Sequence, residues 1–162
     1  MKKFLMILPI LALLLTGCGE KKEDNNNEKK DNGKTGTIAC TLSNDQGAYK
    51  LDAEYVIHYN GDFVEYVETT ETVSSESEVY LNQMETELKK LYDENEKNYG
   101  GYTVNITNEN GKVVSKVKID YSKMDLEKLV NDQPAMSAFI KDKKFTKTGA
   151  QSIYEAMNAT CK

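Results

Sequence analysis

Four side chains in this 162-residue sequence carry the reactivity that could define a chemistry: the thiols of Cys18, Cys40 and Cys161, and the imidazole of His58, the one histidine. Histidine changes charge nearest neutral pH, so it is the first candidate for a general acid or base. His58 falls in the alternating run Tyr49–Tyr59 (YKLDAEYVIHY), on the polar side with Asp52 and Glu54. A catalytic dyad needs a positioned nucleophile beside such a base. The sequence contains no Gly-x-Ser-x-Gly, no His-Glu-x-x-His and no Walker or Rossmann glycine pattern. His58 is therefore read as an exposed strand histidine, and no catalytic residue is predicted. Glu65, Glu68 and Glu71 recur every three residues, a spacing that on a strand does not build one face. Asp93-Glu94-Asn95-Glu96 lacks the spacing and glycine of a calcium loop. No metal and no other cofactor is expected. An enzyme would need His58, or two carboxylates, gathered in a concave pocket with shifted pKa values.

Cys18 stands in a different context. Lys2-Lys3, the apolar run Phe4 to Leu15 and the small pair Thr16-Gly17 follow the order of a secretory leader. The apolar run is too short to span a bilayer, which takes about 20 residues. Leu15-Thr16-Gly17-Cys18 resembles the bacterial lipoprotein signal at every position. That resemblance implies that Cys18 takes a diacylglyceryl group and that residues 1–17 are removed, leaving Cys18 as the N-terminus. The chain would be anchored to a membrane through its lipid, on the outer face of a bacterial cytoplasmic membrane or at an outer membrane. The Lys/Asn/Glu-rich, arginine-free composition leans towards a Gram-positive source. With one thiol used by lipid, Cys40 and Cys161 remain as a pair, and outside the cytoplasm a disulfide persists. The alternative is two free thiols. Their separation in sequence, with no histidine near either, argues against a metal site.

Net charge is −5, and losing Lys2 and Lys3 with the leader takes it to −7. An acidic chain without arginine is a poor partner for nucleic acid, whose binding rests on phosphate neutralisation. Residues 18–36 hold five acids, five lysines and no apolar side chain beyond Cys18 itself. Such a segment has nothing to bury and is expected to be a disordered tether. A single domain is expected over 37–162.

The elements that must position any site follow from periodicity. Thr37–Ser43 and Tyr49–Tyr59 read as strands, with Leu51, Ala53, Tyr55, Ile57 and Tyr59 on one face. Asn60-Gly61 favours a hairpin. Phe63–Val73 reads as a third strand whose faces are less distinct, Phe63 and Val67 opposing Val64 and Tyr66. Ser75 and Glu78 suggest a capping box for a helix whose stripe is Tyr80, Met84, Leu88, Leu91, Tyr92 and Tyr99, ended by Gly100-Gly101. Tyr102–Thr107 and Lys112–Tyr121 form a second hairpin. Short helical segments are expected over Ser122–Val130 and Ala135–Ile140. A last helix, capped by Thr148 and Gln151, would carry Ala150, Ile153, Tyr154, Met157 and Cys161 on one stripe. The predicted fold class is α+β, an antiparallel sheet of about five strands with helices packed on one face, in the order β-β-β-α-β-β-α-α.

The lipobox, the strand YKLDAEYVIHYNGDFVEYVETTET, the segment Val117–Leu129 (VKIDYSKMDLEKL) and the C-terminal helix Ala150–Ala159 together resemble the YehR-like small bacterial lipoproteins, a family of uncharacterised function. The resemblance implies a compact α+β domain at a membrane and brings no catalytic residue. Three functions stay open, in this order: a non-catalytic binding or interaction module, a structural or accessory subunit of an envelope complex, and an envelope enzyme. The partners would be an envelope protein, a peptide or a glycan. Tyrosine suits interfaces through its apolar ring and polar tip, so an exposed cluster involving Tyr49, Tyr66 or Tyr102 would favour the first.

Overall fold

The computed structural model describes residues 33–162. The leader, Cys18 and the segment up to 32 lie outside the described residues. Three long strands open the domain: β1 (Thr35–Asp45), β2 (Lys50–Asn60) and β3 (Phe63–Ser74). Helix α1 (Glu78–Tyr99) is followed by the hairpin of β4 (Tyr102–Glu109) and β5 (Lys112–Asp120). Then come α2 (Leu126–Asp132), a 3-10 turn (Pro134–Phe139), a small hairpin of β6 (Ile140–Lys141) and β7 (Lys144–Phe145), α3 (Lys147–Ala156) and β8 (Thr160–Cys161). The main sheet is antiparallel in the order β4-β5-β3-β2-β1-β8. The class is α+β as expected, with six strands in the sheet.

Alternation decides which face is covered. Ala53, Tyr55 and Ile57 of β2, Val67, Thr69, Glu71 and Val73 of β3, and Val113, Ser115 and Val117 of β5 are buried. They are cross-strand neighbours on one face: Tyr55 pairs with Thr69 and Thr69 with Val117. Helices α1 and α3 close that face through Leu81, Met84, Ala150, Ile153 and Tyr154. The Tyr55 and Tyr154 rings stack at 4.3 Å between sheet and helix. Burying side chains of this size stabilises by about 1.5–3 kcal/mol each.

Several local expectations need correction. In β3, His58 pairs with Tyr66 but Tyr59 pairs with Val64, so Glu65 is an extra, bulged residue. A bulge reverses the alternation. Val64 therefore joins Val67 in the core, where uninterrupted alternation puts them on opposite faces. The N-cap of α1 is Ser77, whose Oγ accepts from the Tyr80 amide at 3.3 Å. Ser75 instead donates its hydroxyl to the Ala48 carbonyl at 2.9 Å, holding the helix entry to the β1–β2 turn. Helix α3 is capped by Thr146, which accepts from the Gly149 amide, and not by Thr148. It ends at Ala156. Asn158, at φ 67°, turns the chain, and Cys161 lies on a strand rather than on a helical stripe. Asparagine tolerates that left-handed backbone better than most residues.

Cys161 lies directly opposite Cys40 in the β1–β8 register, and the two form a disulfide. Main-chain bonds between Ala39 and Lys162, at 3.1 and 2.9 Å, flank it. At the end of α1, Gly101 has φ 85°, and a Cβ there would meet the Asp120 carbonyl oxygen at 2.6 Å. Only glycine lets the chain pass from helix to β4 so closely.

Candidate functional site

The bulge at Glu65 also sets the geometry of a cluster of side chains on the open face of β2, β3 and β5. Beyond it, Tyr66 stands on the uncovered face of the sheet beside His58 of β2 and Asp120 of β5. The His58 ring stacks on Tyr66 with centroids 4.1 Å apart and 18° between planes. Lys118 Nζ sits 3.7 Å from the centre of the Tyr66 ring. The Glu68 carboxylate lies 3.1 Å from His58 Nε2. The partner of His58 is therefore Glu68 on the next strand. Asp52, which shares its strand face, is taken by Lys50 and Ser43 at 2.7 Å each, and the Lys50 hydrogen bond holds its carboxyl below the usual range. A cation over an aromatic face and a carboxylate beside an imidazole hold Tyr66 in one position.

Tyr66 is at the same time one wall of a cleft of about 860 Å³ at this end of the sheet. Three segments enclose it: the β2–β3 hairpin with Asn60, Phe63 and Val64, the β5–α2 connection from Asp120 to Glu127, and the β6–β7 hairpin with Lys143, Lys144 and Phe145. Its apolar lining includes Val64, Met124, Leu126 and Phe145, all buried, with Phe63 and Tyr121 half-buried. Tyr121 stacks on Phe145 at 4.5 Å, and burial pushes its hydroxyl pKa up.

Three acids at the rim are committed to structure, whereas Glu65, also in the lining, is exposed and accepts only a long bond from Asn60 Nδ2 at 3.5 Å. Asp120 accepts from the Ser122 hydroxyl at 2.6 Å and from the Ser122 amide at 3.1 Å, and pairs with Lys123 at 3.0 Å. The Ser122 hydroxyl, then Lys123, hold its carboxyl below the usual range. Asp125 caps α2 by accepting from the Lys128 amide at 2.9 Å. Glu127 pairs with Lys143 at 2.7 Å across the mouth. Lys144 lies over Phe63, 5.3 Å from its ring centre. A lining of aromatic and aliphatic side chains with a few fixed polar groups is the usual make-up of a small-molecule or side-chain pocket.

The other residues singled out by sequence lie elsewhere. Tyr49 stacks on Tyr80 at 5.4 Å, where the β1–β2 turn meets the start of α1. Tyr102 is on the covered face of β4 beside Tyr92, with its pKa pushed up to about 12 by burial. Tyr49, Tyr66 and Tyr102 are each half-buried and are not brought together. Of the three glutamates, Glu65 is the bulge, Glu68 lies on the open face, and Glu71 is buried in the core, accepting from the Tyr55 hydroxyl at 3.1 Å. Glu96 of the acidic run accepts the Tyr102 amide at 2.6 Å. Among the described residues, no group of three or more His, Cys, Asp or Glu side chains converges as metal ligands would. No helix among them is long and apolar enough to cross a membrane.

Sequence reasoning missed the cleft because its walls come from three distant segments. A signal was present for one of them. Ile140-Lys141 and Lys144-Phe145 alternate around Asp142-Lys143, both at positive φ (52° and 58°), as a two-residue hairpin turn requires. Asp-Lys in place of Asn-Gly hides that turn.

No family model and no curated protein matches the chain. Solved structures similar to it include the NMR structure of a Streptococcus pneumoniae TIGR4 protein, at 13% identity and a TM-score of 0.48, covering 91% of this chain and 94% of that one. The NMR structure of the E. coli YehR protein is similar at 19% identity and a TM-score of 0.48, covering 81% of this chain and 91% of that one. YehR is thus among the structural neighbours.

Proposed function

We propose that the protein is a non-catalytic binding module, lipid-anchored at Cys18 on the outer face of a bacterial cytoplasmic membrane, with the Tyr66 cleft as its contact site. One observation carries this reading: the cleft joins an apolar aromatic lining to the carboxylates of Asp120 and Asp125, both already held by protein donors. Groups so committed orient a ligand at little entropic cost, while a proton-transfer role would need one of them free to reach a substrate. The second open reading, a structural or accessory subunit of an envelope complex, calls for a broad apolar patch. Among the described residues the exposed large hydrophobic side chains are Val79 and Val104, on α1 and β4. Two such side chains, one on a helix and one on a strand, fall short of the broad patch that reading needs, which favours the module.

The test is crosslinking and capture of the full chain from its own cells, in parallel with Phe63→Ala and Tyr66→Ala variants. Both positions are at least partly solvent-exposed, so the fold should survive, and circular dichroism would check it. Each truncation of an aromatic anchor is expected to cost about 2 kcal/mol, or roughly thirtyfold in affinity. A partner, peptide or glycan recovered equally with all three chains would remove the cleft from the argument.

A further inference from the structure

The two edges of the six-stranded sheet are treated differently. At one, β8 lies against β1 and the Cys40–Cys161 disulfide fastens it there. At the other, β4 is the outermost strand, and among the described residues no strand pairs with its outer side. Natural edge strands are normally guarded by lysine, proline, a bulge or very short length. β4 is eight residues long, reads YTVNITNE, has no lysine or proline, and pairs with β5 without a register shift.

The direction of its main chain follows from alternation. Asp120 donates its amide to the Gly101 carbonyl at 2.8 Å, which makes Gly101 and Asp120 a hydrogen-bonded pair. Odd residues of β4 therefore turn their peptide groups to β5, and Val104, Ile106 and Asn108 turn theirs outward. The Tyr102 amide, the next in that outward series, is taken by Glu96, consistent with this assignment. Val104, one of the exposed large hydrophobics, sits at the centre of the open stretch with 37% of its surface accessible.

We propose that β4 is an intermolecular strand and that its occupant is β4 of a second copy of this chain, antiparallel about a two-fold axis at Asn105. The sequence is complementary to itself in that register. Val104 faces Ile106 of the second copy on the covered side, Thr103 faces Thr107, and Asn105 faces itself. No charge meets a like charge, because Glu109 falls outside the paired stretch. A register displaced by two residues would set Val104 against Asn108 and bring Glu109 opposite Thr103. Two outward pairs would exchange about four main-chain hydrogen bonds and cover Val104. Such pairing is weak for molecules free in solution. Confinement to one membrane, which rests on the lipid anchor proposed at Cys18, would raise the effective concentration.

The test uses the full chain in mild detergent, with the unsubstituted chain treated in parallel as the baseline for Cys18. Asn105→Cys brings two thiols face to face across the axis, whereas Thr103→Cys leaves them about four residues apart. Under mild oxidation Asn105→Cys is expected to give about tenfold more disulfide dimer than Thr103→Cys alone, since a bridge needs Cα atoms within about 7 Å. A mixture of Thr103→Cys and Thr107→Cys chains should crosslink as Asn105→Cys does. Sedimentation equilibrium should show a mass that rises with concentration for the parent and a monomer for Val104→Lys, with circular dichroism checking that the fold survives the change at this partly exposed site. A parent that stays monomeric at its highest soluble concentration overturns the proposal. So does a dimer that survives Val104→Lys, or equal crosslinking at 103 and 105.

Discussion

Glu71 is the residue whose position most constrains the chemistry of the interior. It is 6% exposed, and the Tyr55 hydroxyl is the donor to its carboxyl. Burial raises its pKa, against the smaller lowering effect of that hydrogen bond. The hydroxyls of Tyr55, Tyr92 and Tyr154 also rise, first through burial and then partly through the charge of Glu71. A carboxyl whose folded pKa exceeds its unfolded value favours the native state fully only below the unfolded value, here 4.5, and that contribution is lost as pH rises through the folded pKa. Asp52, Glu85, Asp120 and Asp132 have lowered values and act in the opposite sense, losing their contribution as pH falls. Stability should therefore decline on both sides of a mildly acidic optimum. Glu71→Gln keeps an acceptor for Tyr55 without the titration. The difference in urea midpoint between Glu71→Gln and the parent should grow with pH above 4.5 and then level off. A difference independent of pH would show that Glu71 ionises as readily folded as unfolded. Tyr55→Phe removes the donor and should cost about 1–3 kcal/mol.

At the scale of elements, legibility followed how local the signal was. Strands β2 and β5 alternate cleanly and were readable, as was the α1 stripe through Met84 and Leu88, although Leu81 went unread. Strand β3 was blurred because one bulged residue, Glu65, shifts its face, and periodicity over eleven residues averages across that shift. Strand β8 is two residues long and is held by a disulfide across a sequence separation of 121 and by pairing with the strand that carries Cys40, so no window along the chain contains its cause. The cleft was illegible for the same reason. Its lining depends on the β6–β7 hairpin, whose turn residues give no strong local cue. Asp142 and Lys143 occupy left-handed backbone at a cost of roughly 1 kcal/mol or more together. Asp142→Asn with Lys143→Gly should relieve it and raise the thermal midpoint by a few degrees, even though the Lys143–Glu127 pair is lost; that exposed pair contributes little. A lower midpoint would show that the ion pair, not the turn, holds the hairpin. Cys161→Ser should cost about 2–5 kcal/mol and expose the Ala39 and Lys162 amides to hydrogen exchange.

The described domain, from Gly33 onward, has its own core, and none of its helices is long and apolar enough to cross a membrane. One acyl chain holds a protein at a membrane only marginally, at about 0.8 kcal/mol per buried CH₂, whereas two chains hold it stably. A diacylglyceryl group on Cys18 would therefore account for anchoring with no contribution from the acidic domain, which anionic lipid repels. Lysines 21, 22, 29, 30 and 34 offer protease sites between that cysteine and β1. Brief digestion of native membranes with a lysine-specific protease should release a fragment that starts after one of these lysines, retains the Cys40–Cys161 bond, and passes to the aqueous phase in a detergent partition. The undigested chain should stay in the detergent phase, with an intact mass that includes two acyl chains. A released fragment that still follows detergent would place the membrane contact in the folded domain, and an unmodified Cys18 would end the lipid-anchor reading whatever the partition shows.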